Sequence, residues 1–192
     1  MSRATVIAAA AGGLAALIAQ RLYRRITIMR LPASVAIPGC GEVAVSTQRS
    51  GGNLHVTLNW NKVFGAIPYK KMPFCSAVMT DDGTIYVSGA IGTAAPLDAN
   101  SRPKIVAGGP KAKMIRVMEI IEACLQACGA SIESITMAHC YLVDNTPSRF
   151  AEMNNGYLEF MGERPLPARI TVGCSALALG SCVEVDVIAK RS

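Results

Sequence analysis

Two segments carry the clearest structural signals, KAKMIRVMEIIEACLQAC at Lys111–Cys128 and SITMAHCYLV at Ser134–Val143. In the first segment apolar residues recur every three or four positions, which is the spacing of one face of an α-helix. Gly129 follows it and favours the left-handed conformation that ends a helix. The second segment is rich in β-branched and aromatic residues and predicts a strand.

Outward from this pair, the sequence predicts further strands and one more helix. Asp81–Gly83 is a hairpin turn, because Asp and Gly tolerate positive φ. Thr146 and Pro147 begin the second helix as its N-cap and first residue, and Gly162 ends it. The remaining predicted strands are Phe74–Thr80, Thr84–Gly89, Ala168–Cys174 and Cys182–Lys190. The order β-β-α-β-α-β-β predicts one α+β domain, with the helices on one face of a mixed sheet.

Residues 31–65 carry weaker signals. Glu42–Thr47 and His55–Leu58 are strand-like, and Gly-containing turns separate them. We therefore divide the chain into a leader at residues 1–42, an N-terminal extension of uncertain structure at 43–65, and the main domain at 66–192.

The net charge of +6 on 192 residues is concentrated at the N-terminus. Five basic residues lie in the first thirty, and the first acidic residue is Glu42. Residues 42–192 hold 14 basic and 13 acidic side chains, a balance of +1. A nucleic-acid-binding domain carries its positive charge on the domain itself, so we expect no nucleic-acid partner.

Residues 4–19 form an uncharged, Ala-rich run with an Arg cluster behind it. Three interpretations stay open. The first is that residues 4–20 are a membrane anchor that leaves the domain facing the cytosol. The second is a mitochondrial transit peptide, and the third is a cleaved secretory signal. The third is disfavoured, because only Arg3 precedes the apolar run. The alternative location for the protein is the cytoplasm.

The cysteines and histidines do not form a metal-binding pattern. The seven cysteines include no C-x-x-C pair. Cys124 and Cys128 share one helix face and are interpreted as small core residues. His55 and His139 are far apart in the sequence, so we expect no metal site.

The C-terminal strands hold the most suggestive polar groups. Arg169 opens an apolar strand after a Pro-rich bend, and its guanidinium is a planar fork that suits a carboxylate. Alternation places Glu184 and Asp186 on one face of the last strand and three valines on the other. From the pattern alone, a structural Arg169–Glu184 pair across a hairpin, with Asp186 in solvent, is the simpler alternative.

Five blocks of the sequence together resemble the reactive-intermediate deaminase family (Rid, or YjgF-like). They stand in the family's order and spacing, and the resemblance covers residues 66–190. The blocks are Pro73–Val78, Ile85–Gly89, Phe150–Tyr157, Pro167–Arg169 and Val183–Ala189.

The resemblance implies a chorismate-mutase-like fold and a homotrimer with sites in the clefts between subunits. It implies hydrolysis of 2-imino acids, such as 2-iminobutanoate and 2-iminopropanoate, to 2-oxo acids and ammonia without a cofactor. By match, Arg169 binds the substrate carboxylate and Glu184 activates the attacking water. Asn154 also matches a family position near the site, where it hydrogen-bonds the substrate or frames the cleft; the alternative is a helix-surface Asn. Gly89 ends the second predicted strand and either lets the substrate approach the backbone or is a bend.

Two departures from the family pattern bear on activity. Phe74 stands where the family often has a Tyr, so a hydroxyl is missing, although the ring still walls the pocket. Thr171 replaces a Cys two residues after the Arg. These changes leave a second hypothesis open, a catalytically weak homotrimer that binds small molecules or proteins.

Overall fold

A computed structural model describes residues 31–66, 72–96, 98 and 100–191, together with Gly13, Ala15 and Ala16. The chain divides into two compact units at Leu31 and Pro32. The apolar segment of the predicted leader, residues 4–20, lies outside the described residues apart from those three, which are helical. Among the residues that the structure describes, no helix combines the length and the apolar character needed to cross a membrane.

Within its described residues, the second unit contains eight strands and three α-helices. They are β1 Ser34–Ile37, β2 Gly41–Ser50, β3 Asn53–Leu58, α1 Trp60–Phe64, β4 Ala77–Met79, β5 Thr84–Ile91, α2 Pro110–Ala127, β6 Ile135–Val143, α3 Pro147–Met161, β7 Ala168–Cys174 and β8 Val183–Lys190. Short 3-10 turns lie at Ile132–Ser134 and Ala178–Gly180.

The strands form one mixed sheet in the order β1-β2-β3-β4-β5-β8-β6-β7. Among the strands that the structure describes, only β6 and β7 pair in parallel, and α3 provides the crossover between them. The last strand in the sequence, β8, therefore lies between β5 and β6. This arrangement confirms the α+β fold with helices against a mixed sheet.

One face of the sheet is covered by helices and forms the core. α2 packs on β1, β3, β5 and β8, and α3 packs against α2. On α2, the apolar residues that recur at helical spacing are buried, including Cys124 and Cys128. The valines of β8 are buried beneath α2. Glu184 and Asp186 lie on the opposite face, which neither α2 nor α3 covers and which we call the helix-free face.

The first predicted strand is shorter than expected. Phe74 lies in a bend, Cys75 lies outside any strand, and β4 begins only at Ala77. Pro73 has no N–H to donate to a sheet, and the Phe74 ring instead packs edge-on against Trp60 at 5.5 Å. The prediction of a strand from Phe74 was wrong, and the correction leaves Phe74 in a loop beside the sheet.

Residues 31–65 form β1, β2, β3 and α1. The pairing of β3 with β4 joins these three strands to the rest of the sheet. The buried Arg116 of α2 ties this region to the core. Its guanidinium donates to the carbonyl oxygens of Thr93 and Pro38, each at 2.7 Å, and pairs with Glu119 at 2.9 Å. The boundary at residue 66 remains a prediction.

Candidate functional site

Glu184 projects from the helix-free face of β8 into a cleft of about 560 Å³. The cleft also contains Phe74 and Gly89 and is otherwise mostly apolar. We call it the Glu184 cleft. It brings together three of the residues that the sequence singled out.

Gly89 gives the Glu184 carboxylate its space. The pairing of β5 with β8 is interrupted between Val87 and Ala90, and Gly89 lies at this interruption. A Cβ built at Gly89 would overlap a carboxylate oxygen of Glu184. A larger residue at this position would therefore require the Glu184 carboxylate to move.

Partial burial raises the pKa of Glu184, and the nearby negative charge of Asp186 raises it further. A carboxylate shifted in this direction is a stronger base than an exposed glutamate. The group is therefore suited to accept a proton from water.

Arg169 lies outside the Glu184 cleft, on the edge strand β7. Its Nη2 donates to Oδ1 of Asn154 at 2.5 Å, and its guanidinium carbon lies 4.9 Å from the ring centroid of Tyr157. Burial raises the pKa of Tyr157 to about 12, so this ring stays neutral. Two α3 side chains thus hold the guanidinium in place. We call this group the Arg169 clamp.

Thr171 lies on β7 in the same alternation as Arg169, opposite Cys140 of β6. Cys140 is fully buried, and burial raises its thiol pKa to about 11. The nearest cross-strand thiol is therefore protonated and inaccessible, and Thr171 offers a hydroxyl instead.

Within one chain, Arg169 and Glu184 are far apart. β6 lies between their strands, with Tyr141 paired to Glu184 and Ala138 paired to both Arg169 and Val187. This register separates the two Cα atoms by roughly 14 Å from strand spacing and rise. Arg169 belongs with the helix-covered face and Glu184 with the helix-free face.

The simple alternative of an Arg169–Glu184 pair across a hairpin was therefore wrong. Asp186 is not left in solvent either, because His139 Nδ1 lies 2.7 Å from its Oδ1. Sequence reasoning missed this pair. The alternation within each strand indicates that His139 and Asp186 face away from the core. Their contact also requires β6 to pair with β8, which the local sequence does not predict.

Leu179 was also missed. It lines the Glu184 cleft with a backbone φ of 56°, which is uncommon for a leucine. Within the described part of the chain, no group of three or more His, Cys, Asp or Glu residues is placed to hold a metal ion.

The fold and these two polar groups define an α+β protein of the chorismate-mutase-like class. Residues 65–191 match the family model described as Endoribonuclease L-PSP. The chain belongs to this family, which comprises the Rid or YjgF-like proteins, and the resemblance seen in the sequence is confirmed.

Individual relatives agree with this assignment. A RutC family protein of Sulfurisphaera tokodaii is 32% identical over 119 residues, which cover 62% of this chain and 88% of the relative. The crystal structure of RidA from the Antarctic bacterium Psychrobacter sp. is 28% identical with a TM-score of 0.53, covering 67% of this chain and 94% of RidA. E. coli TdcF with bound serine is 25% identical with a TM-score of 0.54, covering 68% and 94%. These relatives support a role of the general Rid type.

Proposed function

We propose that the protein is a cofactor-independent hydrolase of 2-imino acids, giving 2-oxo acids and ammonia. The observation that carries the proposal is a half-buried carboxylate with a raised pKa, Glu184, in an apolar cleft beside a glycine. The bound serine of the relative TdcF is a small carboxylate with an α-nitrogen, the same chemical pattern as a 2-imino acid.

In this proposal Glu184 moves the protons. Its carboxylate accepts a proton from water as the water oxygen bonds to the imine carbon, and the C=N π electrons go to nitrogen. The protonated Glu184 returns that proton to nitrogen, which gives a carbon bearing OH and NH2. Glu184 then takes the hydroxyl proton and passes it to nitrogen as the C=O bond forms and the C–N bond breaks, so that ammonia leaves. The reaction consumes one water and needs no oxidant or reductant.

Arg169 binds the substrate carboxylate in this proposal. Because the two residues of one chain face opposite sides of the sheet, Arg169 of one subunit serves the Glu184 cleft of a neighbouring subunit. The helix-free face favours such an assembly, since it exposes about half of the side chains of Tyr86, Ile170 and Val172 around Glu184. We propose a homotrimer, which the family resemblance implies.

The test is imine decay. An amino-acid oxidase generates the imine, semicarbazide traps it, and the full chain competes with the trap. We expect less semicarbazone with the wild-type protein, and Arg169→Lys should lose about a hundredfold in kcat/KM, because Lys keeps the charge without the planar fork. No competition by the wild type would refute the hydrolase, and full activity in Arg169→Lys would refute the forked recognition.

A second candidate is a small-molecule- or protein-binding trimer with little catalysis, which Phe74 and Thr171 favour. Phe74→Tyr distinguishes the two. In a binding module, both the wild type and Phe74→Tyr leave imine decay at the background rate. In a hydrolase, the wild type is already above background, and Phe74→Tyr changes its rate by a few-fold. The endoribonuclease activity named in the family description is outside the proposal, because residues 42–192 carry a balance of only +1.

The role of the leader as a targeting signal or membrane anchor is also a proposal. We propose that residues 1–42 direct the protein to mitochondria or hold it at a membrane with the domain in the cytosol. A fluorescent fusion with and without residues 1–31, a truncation that leaves β1 and β2 in place, tests this. An identical cytoplasmic distribution of both fusions would contradict it.

A further inference from the structure

The Glu184 cleft is lined by large apolar side chains. Phe64, Met72, Phe74, Ile91, Pro103 and Leu179 contribute to its walls. Glu184 is the only charged residue among the described lining residues, and the Ser88 hydroxyl donates to the carbonyl oxygen of Cys75 at 2.8 Å. Away from Glu184, the walls therefore favour hydrocarbon over polar groups.

Two of these walls are phenyl rings that a third aromatic residue holds in place. Trp60 stacks on Phe64 with ring centroids 4.8 Å apart, and it meets Phe74 edge-on at 5.5 Å. Such pairs fix ring positions beyond what burial alone does. The apolar wall is thus formed before any ligand binds.

The short helix that carries Trp60 and Phe64 is itself anchored. Val63 on its inner side is fully buried, and the amide of Ala66 donates to the carbonyl oxygen of Ser101 at 2.8 Å. Gly65 ends the helix at a φ of 82°, where any Cβ would overlap that carbonyl. Phe64 lies just before the region matched by the family model, so the N-terminal extension of this chain contributes directly to the cleft.

We propose that this cleft selects 2-imino acids with large apolar side chains, of the leucine, methionine or phenylalanine type, over the alanine type. The inference rests on the proposed function for its chemistry. A methyl side chain fills little of a cleft of about 560 Å³. Each added methylene should improve kcat/KM about fourfold, which corresponds to about 0.8 kcal/mol, until the cleft is filled.

The sequence provides a reporter of binding that does not require turnover. Trp60 is the single tryptophan, and it contacts both rings of the wall. Titration of the full chain with pyruvate and with 4-methyl-2-oxopentanoate, the oxo acids of the alanine and leucine types, should change its fluorescence. We expect 4-methyl-2-oxopentanoate to bind about 50-fold more tightly, as three added carbons predict. Equal affinity, tighter pyruvate binding, or no binding of either acid would overturn the proposal.

Leu179→Asn tests the wall without endangering the fold, because Asn adopts positive φ more readily than Leu. It should cut the preference for the larger acid about tenfold or more. Leu158→Gln is the matched control, since Leu158 is similarly exposed but lies on α3 outside the cleft, and it should keep the full preference. An unchanged preference in Leu179→Asn would contradict the assignment of Leu179 to the wall.

Imine decay in the same samples separates this inference from the proposed function. A preference for the larger oxo acid without imine hydrolysis would refute the hydrolase and leave the apolar selectivity standing. Hydrolysis of alanine- and leucine-derived imines at equal kcat/KM, with equal oxo-acid affinities, would refute the selectivity and leave the hydrolase standing.

Discussion

The two faces of the sheet differ in how local sequence specifies them. The helix-covered face is made of alternating valines on β8 against a regular apolar stripe on α2, and each position is buried where its own pattern places it. The helix-free face holds Glu184, Asp186 and His139, whose contacts arise between strands distant in sequence. We infer that the α2–β8 core of the first face determines stability, whereas the proposed chemistry depends on Glu184 and on Arg169 at the edge strand β7. Substitutions in the α2–β8 core and at Glu184 should therefore have separable effects.

The largest expected effect is that of Glu184→Gln, which should lower kcat/KM about a thousandfold because an amide cannot accept the proton. The same variant should be more stable than wild type at high pH. Because the pKa of Glu184 is raised in the folded protein, the free energy of unfolding of the wild type falls as pH rises through that pKa and the carboxyl ionises. Gln does not ionise, so the variant does not lose this stability.

Paired kinetics and thermal unfolding from pH 4 to pH 8 measure both effects. Stability should converge toward that of wild type at the acid end, where both side chains are neutral. A variant that is inactive and also less stable at pH 8 would show that Glu184 acts as a structural residue.

On the covered face, Leu125→Ala should lower the free energy of unfolding by about 2–5 kcal/mol, because Leu125 is completely buried in α2. Activity per folded molecule should stay within about twofold. Denaturant unfolding and active-site-normalised kinetics check this. A large loss of kcat/KM in the folded variant would remove the distinction between the faces.

Gly89→Ala should lower kcat/KM about tenfold or more, since its Cβ displaces the Glu184 carboxylate. The shorter carboxylate of Glu184→Asp makes room for the added methyl group. The double variant should therefore be more active than the product of the two single effects predicts. Strict additivity would show that Gly89 does not act through Glu184.

A smaller effect is expected from Asp186→Asn. Removing this negative charge should lower the pKa of Glu184, so the acid limb of the pH–rate profile should move to lower pH. Asp82→Asn is the control, because it removes a carboxylate paired with Lys190 at 2.7 Å near the far end of β8, and it should leave the limb in place. Equal shifts in both variants would indicate a non-local cause.

These differences also explain what the sequence could predict. Periodicity was sufficient for α2 and β8, because each element buries a face that its own residues define. On α3 the pattern predicted the helix, but Phe150 and Leu158 of its apolar face are exposed. It did not place β8 between β5 and β6, and so it could not reveal the His139–Asp186 contact or the separation of Arg169 from Glu184. Phe64 and Leu179 were missed as well, since only tertiary packing brings α1 and the turn at Ala178–Gly180 to the same cleft.

The most direct test of the central claim, a site shared between subunits, is a mixing experiment. Arg169→Ala and Glu184→Gln proteins, each inactive alone, are co-refolded in equal amounts, and imine hydrolysis is measured. If Arg169 of one subunit serves Glu184 of the next, random mixed trimers should recover about a quarter of wild-type activity, because one in four interfaces combines two intact residues. Mixed trimers confirmed by native mass spectrometry that recover no activity would contradict the account.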